Sequence, residues 1–133
     1  MLFRSSSERL STVCHTRPMF QCSFMFIPGE LDDEFHTLDK AIEEFAESLV
    51  GFVGVERWFS DDRKTKNAVY YFDSMDTVQV FARFPSHLEA KRKYQKWYDG
   101  YHVVVSEVKA TYGDGKIPHI TSTSDTGLEK PAP

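Results

Sequence analysis

Apolar side chains occupy every second position from Phe20 to Phe26, so Phe20, Cys22, Phe24 and Phe26 fall on one side of an extended chain. Met25 and Ile27 keep the other side partly apolar, and the strand predicted over Phe20–Ile27 stops at Pro28-Gly29. The period then changes. After the acidic cluster Glu30, Asp32, Asp33 and Glu34, the residues Phe35, Leu38, Ile42, Phe45 and Leu49 recur at helical spacing. The carboxylates suit the positive end of such a helix, and an aspartate there can cap it. Asp39, Glu43, Glu44 and Glu47 form its solvated face, and Gly51 breaks it.

Phe52–Ser60 reads as a second strand, Asp61–Lys66 as a polar hairpin loop and Asn67–Phe72 as a third strand. Tyr70 and Tyr71 point to opposite sides, so both sheet faces carry aromatics. Asp73 or Ser74 caps a short helix, Met75–Phe84, with Val78, Phe81 and Ala82 inward; Pro85 divides it from a second segment, His87–Tyr98. On that segment His87, Ala90, Tyr94 and Trp97 share one face. Lys91, Arg92, Lys93 and Lys96 take the opposite side, with Glu89 four residues before Lys93 for a surface pair. An Asp-Gly turn leads into a fourth strand, Tyr101–Tyr112, which Gly113-Asp114-Gly115 closes.

The order β-α-β-β-α-β is the ferredoxin-like α+β arrangement, two helices covering one face of a four-stranded antiparallel sheet. Val53, Val55, Val103 and Val105 make the strands apolar on both sides. A bare apolar face of that size predicts a homodimer with two-fold symmetry. The expected organisation is a disordered or loosely docked arm over 1–18, the domain over 19–115 and a tail over 116–133 rich in Thr, Ser and Pro. The arm has three arginines and one acid, Glu8, a composition shared with mitochondrial presequences; a frayed end of a cytoplasmic protein is the preferred reading.

At 133 residues the chain has room for one domain, and 41% hydrophobic with 14% aromatic content is enough to build a core. A net charge of −4 argues against a dedicated nucleic-acid binder. No apolar run approaches the ~20 residues that span a bilayer. Cys14 and Cys22 stand at no metal or redox spacing and read as reduced thiols, Cys22 in the core. His36 lies among acids and reads as exposed; His15 and His119 fall in the loose ends. There is no paired-histidine zinc helix, phosphate-cradling glycine loop or Gly-x-Ser-x-Gly elbow, so a hydrolase or nucleotide enzyme has little support.

Three segments carry a family resemblance: FHTLDKAIEEFAESLVGFVGVERWFS, AVYYFDSMDTVQVFARFPSHLEAK and the closing YHVVVSEV. Over Phe20–Tyr112 the layout resembles the antibiotic biosynthesis monooxygenase domain of the dimeric α+β barrel superfamily, including Leu-Val-Gly-Phe before strand two and a Ser-His pair near a helix end. The resemblance implies a small dimer whose members include cofactor-free oxygenases of aromatic polyketides, haem degraders, isomerases and proteins without a known reaction. Haem degraders of this fold share a first-strand Asn and a third-strand Trp. Here the first strand offers Gln21, the third Tyr70, Tyr71 and Phe72, and the one asparagine is Asn67. His87 alone matches, as an axial ligand to haem.

Cofactor-free oxygenation needs a dry aromatic cavity, a base near neutral pKa and donors for the developing oxyanion. His87 is the first candidate base and His102 the second; Tyr94, Tyr70 and Trp58 are candidates to orient a small aromatic substrate or donate hydrogen bonds to it, with Trp97 as a wall. Each has a plainer reading: His87 bonding Ser86 or solvent, His102 a satisfied structural histidine, Trp58, Trp97 and Tyr94 core or dimer anchors. A non-redox cyclase or isomerase using the same groups is the second reading, and a non-catalytic small-molecule or haem-binding dimer the third.

Overall fold

The computed structural model describes the backbone of residues 11–14 and all of residues 18–122. The elements are β1 (Ser11–Cys14), β2 (Phe20–Pro28), α1 (Asp33–Ser48), β3 (Phe52–Phe59), β4 (Lys66–Phe72), α2 (Met75–Ala82), α3 (Pro85–Arg92), α4 (Tyr94–Trp97), β5 (Tyr98–Glu107) and β6 (Ala110–Gly113), followed by a 3-10 turn at Ile120–Ser122. Four strands form one antiparallel sheet in the order β3-β4-β2-β5, as the ferredoxin-like reading expects, with the helices on one face. Among the described residues no helix is long and apolar enough to cross a membrane.

Local chemistry explains the element ends. Asp32 caps α1 by accepting the Phe35 N–H at 2.9 Å, and Ser74 caps α2 by accepting that of Thr77 at 3.1 Å. Gly51 leaves α1 with φ +104°, where any Cβ would also fall 2.5 Å from Asp73 Oδ1. The helix-side core is then Ala46 from α1, Tyr70 and Phe72 from β4, and Val78 and Phe81 from α2, with Phe20, Cys22, Ile42 and Phe45 around it. Each fully buried ring there stabilises the fold by about 1.5–3 kcal/mol.

Three expectations need correction. The segment after Pro85 is not one helix: α3 ends at Lys93, whose N–H turns back to the Glu89 and Ala90 carbonyls, and only one further turn follows. Asp99-Gly100 is not a turn either. It lies inside β5, where the register against β2 shifts between Ile27 and Pro28. The fourth strand is two strands, β5 and β6, because at Val108 the chain leaves β2; its N–H goes to the Met19 carbonyl at 2.8 Å.

β6 pairs instead with β1, so four residues of the stretch read as an arm form a two-stranded ribbon. Part of the tail is also built in. Ile120 packs on Met19, Val69 and Tyr71 across the sheet from the helices, and Thr121 is buried. The Cys14 thiol, His15 and the tail beyond Ser122 lie outside the described residues.

Candidate functional site

Strand register sorts the candidate residues by face. Cys22 pairs with Tyr70 and Val105, Phe24 with Ala68 and Val103, and Phe26 with Lys66 and Tyr101, so these side chains share the helix side. His102 pairs with Met25, Met25 with Asn67 and Asn67 with Trp58, one row across the opposite side. His87, Tyr70, Tyr94 and Trp97 are therefore brought together in the helix-side layer. His102 and Trp58 are not, because they lie an odd number of residues from the positions facing the helices.

The helix-side layer is aromatic throughout. Phe24 stacks on Phe26 at 5.2 Å between ring centroids, and Tyr98 meets both at 5.6 and 4.9 Å. Tyr94 meets Tyr101 edge-on at 4.8 Å. The helices stop short of the β5 edge, which leaves Val103 43% and Val105 46% exposed even though they face the helix side. The result is an apolar shelf on Cys22, Phe24, Val103 and Val105, with α3 and α4 beside it. Trp97 lies behind it. It is 1% exposed, its Nε1 donates to Asp32 at 2.9 Å and its ring meets Phe35, so it anchors α1 to the start of β5 instead of forming a wall. Tyr70 is likewise core, between Phe72 and Phe81, and burial pushes its hydroxyl up to about 12.

His87 sits half-buried against Phe81, ring centroids 4.8 Å apart. Its Nδ1 lies 3.1 Å from the Phe81 carbonyl oxygen. A carbonyl can only accept, so Nδ1 carries the proton and the Nε2 lone pair has no hydrogen-bond partner among the described residues. Burial pushes the ring below the ordinary histidine range; the Phe81 carbonyl partly opposes this, and Lys91 adds to it. At neutral pH His87 is an uncharged imidazole of fixed tautomer with one open basic nitrogen.

Asp39 is exposed, as the solvated-face reading of α1 expects. It stands four residues from Phe35 and three from Ile42, on the shoulder of the apolar stripe, and burial pushes its carboxyl up with Glu43 adding to the effect. The side chain is still solvent-reached, so it marks the lip of the layer rather than its interior. Its charge adds to burial in raising the Tyr98 and Tyr70 hydroxyls.

The opposite face carries a polar chain that residue order conceals. Ser106 Oγ donates to Gln21 Oε1 at 3.1 Å, Gln21 Nε2 to the Tyr71 hydroxyl at 3.1 Å, and that hydroxyl to Glu56 Oε1 at 2.8 Å. Glu56 Oε2 meets His119 Nε2 at 2.8 Å, while His119 Nδ1 accepts the Thr121 N–H at 3.1 Å. An acceptor Nδ1 puts the proton on Nε2, which donates to Glu56. Burial and then Glu56 push the Tyr71 hydroxyl up to about 12. Every member is satisfied, so this histidine is a clasp. A cleft of about 430 Å³ lies beside it, lined by β6, Asp114, Ile117 and Thr121.

Among the described residues no three His, Cys, Asp or Glu side chains converge as a metal site. The open Nε2 of His87 has the chemistry of an axial haem ligand, but the haem-degrader partners are missing: Gln21 lies on the opposite face, hydrogen-bonded to Tyr71, and Tyr70 is enclosed in the core. The residues present do not fit a haem-degrading site.

No family model matches the chain, and no curated protein does. Solved structures match the fold. SnoaB, a cofactor-independent oxygenase from Streptomyces nogalater, superposes with a TM-score of 0.57 at 13% identity, covering 71% of this chain and 96% of its own. Protein SO0527 from Shewanella oneidensis gives 0.55 at 12% identity, covering 74% and 96%. A dabb family protein with a ferredoxin-like fold from Mesorhizobium loti gives 0.50 at 10% identity, covering 68% and 96%. The chain therefore has a ferredoxin-like α+β fold.

Proposed function

We propose that the chain is a cofactor-independent monooxygenase of the antibiotic biosynthesis monooxygenase type, acting on a small aromatic substrate laid on the helix-side shelf. The observation that carries this reading is His87: a neutral imidazole, its Nδ1 committed to the Phe81 carbonyl and its Nε2 open, beside a layer of aromatic rings. Such a group takes a proton from an activated C–H or a phenol near neutral pH. For an anthrone-like substrate, His87 removes a proton from the ring methylene and the carbanion reduces dioxygen, forming a C–O bond. Loss of water from the hydroperoxide leaves a ketone, so one CH₂ and one O₂ give C=O and H₂O. Tyr94, at the mouth beside Tyr101, is the hydrogen-bond donor for the developing oxyanion. SnoaB's description as a cofactor-independent oxygenase supports this chemistry on this fold.

The opposite face supports a homodimer. Trp58 is 60% exposed there, with Met25 and His102 in its own row and Val104 in the next, while Ile120 covers the remaining end. Sedimentation at micromolar concentration is expected to give a dimer that Trp58→Asp splits.

Oxygen uptake with anthrone and simple naphthols tests the reaction, with ¹⁸O₂ label appearing in the product. His87→Gln is expected to lower turnover at least about a hundredfold, the usual worth of a positioned base. No uptake by folded wild-type protein across that panel overturns the reading.

A further inference from the structure

The cations of α3 and α4 are not equivalent. Arg92 pairs with Glu89, Lys93 with Glu34 and Glu89, and Lys96 with Glu34 at 3.0 Å and Asp32 at 3.8 Å. Lys91 has no carboxylate partner among the described residues. It stands one helical turn after His87 and so projects from the same side of α3. It also lies close enough to β2 to act on the Cys22 thiol: burial pushes that thiol up, and the Lys91 ammonium pulls it part of the way back. The sequence pattern put Lys91 on a solvated basic face. Lys91 is exposed, as are Arg92 and Lys96, but ion pairs occupy its three companions and leave its ammonium uncommitted on the His87 side of α3.

We propose that Lys91 is the specificity-determining residue of the helix-side shelf, and that the ligand is a planar aromatic bearing a negative charge, a phenolate or aryl carboxylate, whose oxygen meets the Lys91 ammonium. This rests on the helix-side shelf being the binding site. Three features combine. The floor of Phe24, Val103 and Val105 offers a ring only apolar contact, so it cannot tell one flat molecule from another. His87 is neutral and its free nitrogen accepts; it offers no positive charge to an anion. The one uncommitted cation on that wall is therefore what discriminates, because an anion gains there a full opposite charge that the neutral Tyr94 hydroxyl does not supply. The same ammonium would hold the phenolate that His87 creates, so recognition and proton removal favour the same ring position.

The test uses two fluorescent probes that differ by one sulfonate, 8-anilinonaphthalene-1-sulfonate and neutral N-phenyl-1-naphthylamine. Wild-type protein is expected to hold the anion about tenfold more tightly than the neutral probe, the ratio expected of one extra charge-assisted contact. Lys91→Met is expected to erase that ratio while binding the neutral probe as before. Lys91→Arg should keep most of it, and Lys109→Met, which removes an exposed cation paired with Glu107, should leave it intact. Amide shifts in an NMR titration locate the probes, and they are expected at Lys91, Tyr101 and Val103. An unchanged ratio in Lys91→Met, with both probes bound at those residues, overturns the role of Lys91 and leaves the shelf as the site. Shifts at Trp58 and Met25 instead, or no binding of either probe, overturn the shelf as the site and this inference with it.

Discussion

The two faces of the sheet each hold a histidine next to an aromatic residue, and the two histidines are in opposite chemical states. His119 spends both ring nitrogens, one on Glu56 and one on Thr121, and closes a hydrogen-bond chain running back through Tyr71 and Gln21 to Ser106. His87 spends one nitrogen on Phe81 and keeps the other. A fully committed polar network holds a shape; a basic nitrogen left over in a half-buried apolar setting is a group that can react. The contrast separates structure from chemistry better than burial does, since both rings are only part-buried.

The largest expected effect comes from the shared support of the helix side. Phe81 touches Tyr70, Phe72 and His87, so Phe81→Ala should cost about 3–5 kcal/mol in denaturant unfolding and strip the ring packing from His87, while the backbone carbonyl at position 81 still holds Nδ1. On the other face, Glu56→Ala leaves the buried Tyr71 hydroxyl and His119 Nε2 without their acceptor. A loss of about 1–3 kcal/mol is expected, with faster amide exchange over Ile117–Ser122 and unchanged exchange in α3. Equal acceleration in both regions would show that the faces are not independent.

A pH series distinguishes the histidines directly. His87 is held below 6.5 when folded, so the unfolded chain binds its proton more readily. Its contribution to stability is complete above pH 6.5 and falls as pH drops toward the depressed folded value. His87→Gln should flatten the unfolding midpoint through that window; an unaltered slope would mean that burial does not hold the ring neutral. At lower pH the cap takes over. Asp32 titrates below 3.8, chiefly because its carboxylate accepts the Phe35 N–H, so its contribution persists above that value and is lost as pH falls through the folded one. Asp32→Ala should remove that acid limb. The smallest effect belongs to Arg92→Ala, whose Glu89 pair lies wholly at the surface; neither stability nor probe binding should move measurably.

Much of this was legible from spacing. The α1 stripe, the break at Gly51 and the opposed Tyr70 and Tyr71 depend on local periodicity, and local periodicity is what a sequence displays. The breaks at Lys93 and Val108 were hidden because their causes are long-range. Lys93 is drawn to Glu34, 59 residues away, and the Val108 N–H to the Met19 carbonyl. Trp97 fits a helical stripe as well as it fits its real role, and only its bond to Asp32, 65 residues distant, decides between them. His119 looked like tail because Thr, Ser and Pro surround it. The local hint was the pair Ile117 and Ile120, large apolar residues in an otherwise polar stretch.

Gly54 has a practical consequence. A Cβ there would meet three carbons of Ile120 at 3.1–3.3 Å, so the sheet admits the returning chain because this position is bare. A protein engineer trimming the sequence at Gly115, where composition suggests the compact part ends, would cut away the lid of the Met19–Val69–Tyr71 cluster and leave an oily groove inviting aggregation.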